Sequence, residues 1–207
     1  MNSNLEFLKK AKKVYFVAMK DELDPSYTSS EVVFTGVGKA RASRALLKWI
    51  MAHRQEMELW AAQRAEGKEC EAPLIVSLGT AGSGKFKRGG IVLAEEFVNN
   101  GDSFIQERIC FDVLPQKEGR CCASSDFFIC DETFGSEKVA EMRRKFDCLD
   151  MESFALANIC KIFGLDMIAV KCISDGADDN VETFDMMLPK FRAKLNAFVA
   201  SLDAADY

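Results

Sequence analysis

Apolar and polar positions follow each other along this chain in blocks that predict strands and helices in turn. Runs of four to nine mostly apolar residues predict buried strands at 14–19, 32–35, 74–78, 91–94, 121–129 and 165–173. Longer segments with apolar residues three and four positions apart predict helices at 40–64, 154–163 and 184–202. Alternating strands and helices are typical of an α/β fold, in which helices cover a central sheet.

Two carboxylates stand where predicted strands end, within residues 146–180. The first strand of this segment ends in Met151-Glu152, a helix follows, and the next strand ends in Ser174-Asp175. A strand–helix–strand unit of this length is expected to be a right-handed parallel crossover. Glu152 and Asp175 should then lie at the carboxyl edge of the sheet, where α/β proteins bind ligands. Taken singly, each also has a purely structural explanation, as a helix start or a turn.

Two other predicted strands lead into segments that are candidates for a site. The strand 14–19 leads to Glu22, and the strand 74–78 leads to the glycine-rich sequence at 79–84. A glycine-rich loop after a strand can cradle a phosphate, but this one lacks the Lys-Ser/Thr pair of a P-loop and the spacing of a dinucleotide fingerprint. Alone, the Glu22 motif is weak, because charged residues after a strand commonly form a solvated loop.

Composition narrows the classes of protein to which the chain can belong. Its 207 residues are enough for a single domain, 1–207, with a three-layer core. The net charge of −5 argues against nucleic acid as a ligand. No apolar run approaches the roughly 20 residues of a membrane span. Eight cysteines without a regular framework and a single histidine predict reduced thiols, a cytoplasmic location and no zinc site.

The ordered set of these motifs resembles the purine-nucleoside phosphorylase and nucleosidase superfamily, in particular its branch that acts on 5′-methylthioadenosine and S-adenosylhomocysteine. The resemblance implies a three-layer α/β fold with a mixed central β-sheet flanked by helices. It also implies that Glu22 orients an attacking water and that Met151 and Glu152 hold the ribose. Asp175, paired with Ser174, would protonate the purine leaving group.

The same resemblance places further residues beside the substrate. The glycine-rich segment would lie along the ribose and purine, one aromatic would stack on the base, and another would cover the ligand: Thr80, Ala81, Gly82, Phe128, Ile129 and Phe184. Because neighbours in a strand point to opposite faces, either Phe127 or Phe128 is also expected to be a core aromatic.

The nucleophile is predicted to be water rather than phosphate. Phosphorylases of this superfamily have an arginine where this chain has Ser77, and residues 17–26 contain no arginine. Without such cations a phosphate dianion has little to offset its desolvation. The chemistry that the resemblance implies requires no metal and no organic cofactor. Lys171 stands inside an apolar strand, so it is expected to pair with a carboxylate near the site.

The resemblance predicts a homodimeric hydrolase that releases adenine from 5′-methylthioadenosine or S-adenosylhomocysteine. Compared with that branch, the helix 40–64 is longer and the passage 23–31 is shorter. These departures keep an aminodeoxyfutalosine hydrolase open as an alternative. A purine nucleoside phosphorylase and a non-catalytic nucleoside-binding protein also stay open. The dimer is expected to bury part of the helix 40–64, although an apolar stripe has the same appearance in an internal core helix.

Overall fold

The computed structural model describes residues 2–68, 72–101, 107–176 and 181–203. In this part of the chain, nine strands form one mixed sheet, and helices pack on both of its faces. The three-layer α/β fold that the sequence predicts is confirmed. None of the helices in these ranges combines the length and the apolar character that crossing a membrane requires.

Most of the short strands coincide with the predicted apolar runs. The strands are β1 (Lys13–Val17), β2 (Glu31–Phe34), β3 (Leu74–Gly82), β4 (Ile91–Ala94), β5 (Glu96–Asn99), β6 (Arg108–Cys110), β7 (Cys121–Ser124), β8 (Cys148–Asp150) and β9 (Met167–Asp175). The helices are α1 (Asn2–Lys10), α2 (Lys39–Ala52), α3 (Arg54–Ala65), α4 (Asp131–Phe134), α5 (Ser136–Lys145), α6 (Ser153–Phe163) and α7 (Val181–Asp203).

The strand order brings several carboxyl ends to one edge of the sheet. β1 lies between β2 and β3 and pairs with both in parallel. β3 also pairs in parallel with β9, and β4 runs antiparallel to β9. Beyond β3 the sheet continues through β8, β7, β5 and β6. The ends of β1, β3 and β9 therefore meet at the edge where ligands of α/β proteins bind.

Alternation along the strands separates the core into two main layers. Phe16 of β1 belongs to a cluster that includes Leu46 of α2, on one face of the sheet. Its neighbour Tyr15 belongs to the opposite cluster, with Leu8 of α1 and Leu195 of α7. Because successive side chains of a strand point to opposite faces, one short apolar run contributes to both layers.

The prediction of a single long helix at 40–64 is wrong, because two helices occupy this segment. α2 ends at Ala52, His53 has a non-helical backbone (φ −106°, ψ 29°), and α3 begins at Arg54. The His53 ring stacks on Trp49 at 4.3 Å, and its Nδ1 lies 2.9 Å from the Trp49 carbonyl oxygen. These local contacts accompany the break in the helix, and a pattern of apolar spacing does not register them.

The prediction that the two strands flanking α6 run parallel to each other is also wrong. β9 runs parallel to β3, whereas β8 meets β3 in antiparallel orientation through the pair Gly82 and Leu149. Gly82 also pairs with Asp175, next to a register shift at Ala81. β8 and β9 therefore approach the end of β3 from opposite directions. Their carboxyl ends still converge, so Glu152 and Asp175 lie at the same edge of the sheet, as expected.

Two predicted strand boundaries differ in ways that affect the site. β3 does not end before the glycine-rich segment but continues through Gly82. β7 ends at Ser124, so Phe127 and Phe128 lie in the loop beyond it. Strand alternation does not apply in a loop, and the prediction that one of these two phenylalanines is a core residue is wrong. Phe127 is 64% exposed and Phe128 is half-buried.

Candidate active site

A cavity of about 330 Å³ opens where the ends of β1, β3, β8 and β9 converge. This volume falls within the range of about 300–1,000 Å³ that is common for small-molecule sites. All of the site residues predicted from the sequence line it: Glu22, Thr80, Ala81, Gly82, Phe128, Ile129, Met151, Glu152, Ser174, Asp175 and Phe184. The structure thus brings together residues from six separate segments of the chain.

Glu22 is only 2% exposed, and its carboxylate is held firmly. Oε1 accepts hydrogen bonds from the Thr80 backbone N–H at 2.8 Å and from the Thr80 hydroxyl at 2.6 Å. Oε2 accepts the Met19 backbone N–H at 3.2 Å. A Cβ atom on Gly79 would lie 2.9 Å from Oε1. The first glycine of the glycine-rich segment therefore makes room for the Glu22 carboxylate.

Glu152 lies at the start of α6 and is also buried. Its Oε1 accepts the backbone N–H of Gly38 at 2.7 Å, which connects the end of β8 to the turn between β2 and α2. Burial raises the pKa of Glu152 to about 7, and the negative charges of Asp150 and Glu22 act in the same direction. Lys171 and the Gly38 N–H act against this shift. Glu152 therefore titrates near neutral pH.

Asp175 ends β9, is buried and lines the cavity. The Ser174 hydroxyl lies 2.6 Å from Asp175 Oδ2 and 3.3 Å from the Ala81 carbonyl oxygen. The Asp175 carbonyl oxygen accepts the Ser83 backbone N–H at 3.0 Å. The backbone around Asp175 is thus fixed to the end of β3, while its carboxyl group lines the cavity.

Aromatic side chains form one wall of the cavity. Phe128 and Phe184 meet edge to face, with ring centroids 5.9 Å apart. Phe127 also lines the cavity, next to the buried Ile129, and Met151 lines it from the end of β8. Flat apolar surfaces beside buried carboxyl groups suit a ligand that has an aromatic ring and polar edges.

A buried ion pair borders the cavity, and its acidic member, Asp150, is part of the cavity lining. Lys171 Nζ is 2.9 Å from Asp150 Oδ2, and both side chains are almost completely buried. Lys171 also donates to the Ser77 hydroxyl at 3.1 Å, and that hydroxyl is hydrogen-bonded to the Ser153 hydroxyl. The hydroxyls of Ser153 and Ser124 both donate to the Asp150 carboxylate. The expectation that Lys171 pairs with a carboxylate near the site is confirmed.

The ionisation of this pair follows from its partners. Burial opposes the charge on Asp150, but Lys171 and the two serine hydroxyls outweigh it and lower the Asp150 pKa. Burial likewise opposes the charge on Lys171, but Asp150 outweighs it and raises the Lys171 pKa. Both groups are therefore charged at neutral pH. The Asp150 carboxylate also accepts the backbone N–H groups of Glu152 and Ser153, so the pair holds the turn that carries Glu152.

The lining of the cavity limits the ligands it can accept. Among the described residues that line it there is neither a lysine nor an arginine. Within the same ranges, no cluster of three or more His, Cys, Asp or Glu side chains has the arrangement of a metal site. Seven cysteines in these ranges are free thiols, and all except Cys110 are buried. The polar groups available to a ligand here are therefore mainly carboxyl groups, hydroxyls and backbone groups.

The sequence profile of one family, described as the Phosphorylase superfamily, matches residues 27–202. This match covers most of the chain. The chain belongs to the phosphorylase superfamily. Comparison with curated proteins returned no match. Glu22 and β1 precede the matched residues, and Glu22 is joined to the matched segment through its hydrogen bonds with Thr80.

Several solved structures share the fold of this chain. A 5′-methylthioadenosine/S-adenosylhomocysteine nucleosidase from Helicobacter pylori, with butyl-thio-DADMe-Immucillin-A, is 19% identical with a TM-score of 0.67, covering 93% of this chain and 98% of that one. The corresponding nucleosidase from Neisseria meningitidis, in complex with methylthio-immucillin-A, is 20% identical with a TM-score of 0.64, covering 92% and 98%. Futalosine hydrolase from Helicobacter pylori is 18% identical with a TM-score of 0.65, covering 93% and 97%.

Sequence reasoning missed two residues that support this site. Asp150 precedes Met151 and received no role, although a buried Lys171 requires a carboxylate and Asp150 was available. Gly38, in the turn between β2 and α2, is the second: its N–H donates a hydrogen bond to Glu152 Oε1. The positive φ of 99° at Gly38 favours glycine there, because side chains on Cβ disfavour that region.

Proposed function

We propose that this protein hydrolyses the N-glycosidic bond of an adenine nucleoside and releases adenine. The observation that carries the proposal is the convergence of Glu22, Glu152 and Asp175 in one cavity, beside the aromatic wall of Phe128 and Phe184. Hydrolysis of this bond needs a base for water, a group that holds the ribose and an acid for the leaving purine. The three carboxyl groups match these needs in number, and all three line the cavity.

The roles follow from the chemistry of bond cleavage. Asp175 donates a proton to N7 of adenine as the C1′–N9 bond breaks, so the base leaves neutral. Glu152 accepts hydrogen bonds from the ribose hydroxyls. Glu22 takes a proton from the water whose oxygen forms the new bond to C1′. Each proton transfer to or from a well-placed side chain typically contributes about 10²- to 10⁴-fold in rate.

The nucleophile is proposed to be water. Ser77 belongs to a buried hydrogen-bond network with Lys171 and Ser153. Among the described residues that line the cavity there is no lysine or arginine that could bind a phosphate. Adenine release from 5′-methylthioadenosine should therefore proceed at the same rate with and without phosphate, with the free ribose sugar as the second product. Formation of a sugar 1-phosphate that depends on added phosphate would instead identify a phosphorylase.

5′-Methylthioadenosine and S-adenosylhomocysteine are the proposed substrates. Aminodeoxyfutalosine is the second candidate, because the solved structures that share the fold include both kinds of hydrolase. Measuring adenine release from all three nucleosides ranks them directly. Nucleoside binding without release from any of them would favour a non-catalytic binding protein.

The pH dependence of catalysis should reflect Glu152. Its pKa of about 7 means that it loses its charge as the pH falls below 7, and a protonated carboxyl group holds the ribose hydroxyls less well. We therefore expect kcat/KM to fall about tenfold per pH unit below pH 7, since kcat/KM reports the ionisation of the free enzyme. Circular dichroism at each pH excludes unfolding as the cause. A constant kcat/KM down to pH 5 would contradict this role of Glu152.

We also propose a homodimer. Met51 at the end of α2 is 76% exposed and Ile162 near the end of α6 is 71% exposed, and both line one groove with Leu47, Met57 and Phe163. Burial of these apolar side chains against a second copy would remove them from water. Sedimentation at micromolar concentration should show a dimer, and Met51→Lys should weaken it. A monomeric unmodified protein would contradict the proposal.

A further inference from the structure

Lys39 is the first residue of α2, and its ammonium group joins this helix to two other segments of the chain. Nζ donates a hydrogen bond to Asn99 Oδ1 at the end of β5, at 2.7 Å. Nζ also lies 3.0 Å from Asp126 Oδ2, in the loop after β7. The Lys39 side chain is only 16% exposed, whereas that of Asp126 is 57% exposed. We call Lys39, Asn99 and Asp126 the Lys39 clamp.

The position of Lys39 in the helix does not account for its charge. The N-terminus of a helix carries a partial positive charge, so a cation in the first turn is disfavoured. A largely buried ammonium group also costs free energy unless it is paired. The contacts that offset both costs are those with Asn99 and Asp126, which are distant in the sequence. Lys39 is therefore held by tertiary contacts rather than by its own helix.

The Lys39 end of the clamp is attached to the side of the cavity where the ribose would lie. Lys39 directly follows Gly38, whose N–H donates to Glu152 Oε1 at 2.7 Å. Val37, in the same turn, lines the cavity. A shift of the backbone at Lys39 would therefore move the donor that orients Glu152.

The Asp126 end of the clamp is attached to the aromatic wall. Asp126 directly precedes Phe127 and Phe128, which both line the cavity. These residues follow the end of β7, so the hydrogen-bond ladder of the sheet does not fix their positions. The same loop is also anchored by Ser125, whose N–H donates to the Asp150 carbonyl oxygen at 2.8 Å. Asp126 is thus an anchor of the loop directly beside the two rings.

We propose that the Lys39 clamp holds the aromatic wall at a fixed distance from the ribose side of the cavity and thereby increases the affinity for the base of a nucleoside. The inference deepens the proposed function and rests on it. Lys39 and Asp126 are positioning residues, because neither lines the cavity and each acts through a neighbour that does. A loop that is held in place before binding loses less freedom when the ligand arrives, so the clamp favours binding.

Lys39→Met removes the charge and keeps the apolar stem of the side chain. Calorimetry in an Asp175→Asn background, where turnover does not interfere, should show a Kd for 5′-methylthioadenosine that is about three- to tenfold higher, the size expected for a partly buried charged contact. With Asp175 intact, KM should rise while kcat changes less. Lys39→Arg keeps the cation and should restore part of the affinity. Lys48→Met, on the exposed face of the same helix, should leave it unchanged.

A double-mutant cycle tests whether Lys39 acts through the aromatic wall. In a Phe128→Ala background, Lys39→Met should weaken binding much less than it does when the ring is present, because the ring that the clamp positions is gone. An equal effect of Lys39→Met with and without the Phe128 ring would overturn the positioning role.

Hydrogen exchange of the free protein tests the clamp without any ligand. Amides of residues 125–129 should exchange several-fold faster in Lys39→Met than in the unmodified protein or in Lys48→Met. Unchanged exchange in this loop would overturn the clamp. If the unmodified protein binds adenine nucleosides without releasing adenine, the proposed hydrolysis is wrong, and the Kd series still decides the role of the clamp. If no adenine nucleoside binds, the proposed function and the role of the clamp in base affinity are both wrong.

Discussion

Asp175→Asn is expected to lower kcat by about 10²- to 10⁴-fold while nucleoside binding largely survives. Asparagine keeps the shape of the side chain and can still interact with Ser174, but it has no proton to give to N7 of adenine. The effect should therefore fall on the chemical step rather than on binding. Single-turnover adenine release measures the step, and calorimetry measures the binding.

The other two carboxylates provide the comparison. Glu22→Gln should also lower kcat, because an amide neither removes a proton from water nor keeps the arrangement with Thr80. Glu152→Gln should raise KM as well, because the ribose contact acts in the ground state and in the transition state. Near-native turnover in Asp175→Asn would show that Asp175 is not the proton donor. The family would then account for the fold alone.

Lys171→Met is expected to destabilise the protein by about 3–5 kcal/mol, because it leaves the buried Asp150 carboxylate without its partner. Lys171 Nζ and Asp150 Oδ2 lie 2.9 Å apart beside the site, and both side chains are almost completely buried. Lys171→Arg keeps the positive charge and should cost less, although the larger guanidinium must fit beside Ser77. Denaturant unfolding measures these differences in the free energy of unfolding, provided that its slope against denaturant concentration is the same in each variant.

A double-mutant cycle tests whether the pair itself is responsible. Lys171→Met combined with Asp150→Asn should be less unstable than the sum of the two single variants, because the double variant leaves no unpaired buried charge. Lys48→Met, on the exposed face of α2, is the matched control and should change stability little. If Lys171→Met unfolded at the same denaturant concentration as the unmodified protein, the ion pair would have no net effect on stability.

Local pattern alone predicted the strands that carry the site and the acidic residues at their ends. Runs such as 14–19 and 165–173 are short, apolar and bounded by polar residues, so the strands β1 and β9 were predicted close to their observed bounds. Where a strand ends in a carboxylate, as at Asp175, the carboxyl edge of the sheet follows from the general rule for α/β folds. The resemblance to a known superfamily then supplied the roles.

Strand ends and their polar residues are local features, so the sequence pattern by itself determined the positions of Glu22, Glu152 and Asp175 near the carboxyl edge of the sheet. Phe128, Ile129 and Phe184 were placed at the site only by the resemblance to a known superfamily.

Only the tertiary structure decided that β8 runs antiparallel to β3 and that Glu152 binds the Gly38 N–H. It also decided that Lys171 pairs with Asp150 and that Phe127 lies beyond the end of β7. Each of these depends on contacts between segments far apart in the chain. Apolar periodicity reports which face of an element is buried, but it carries no information about which distant partner covers that face.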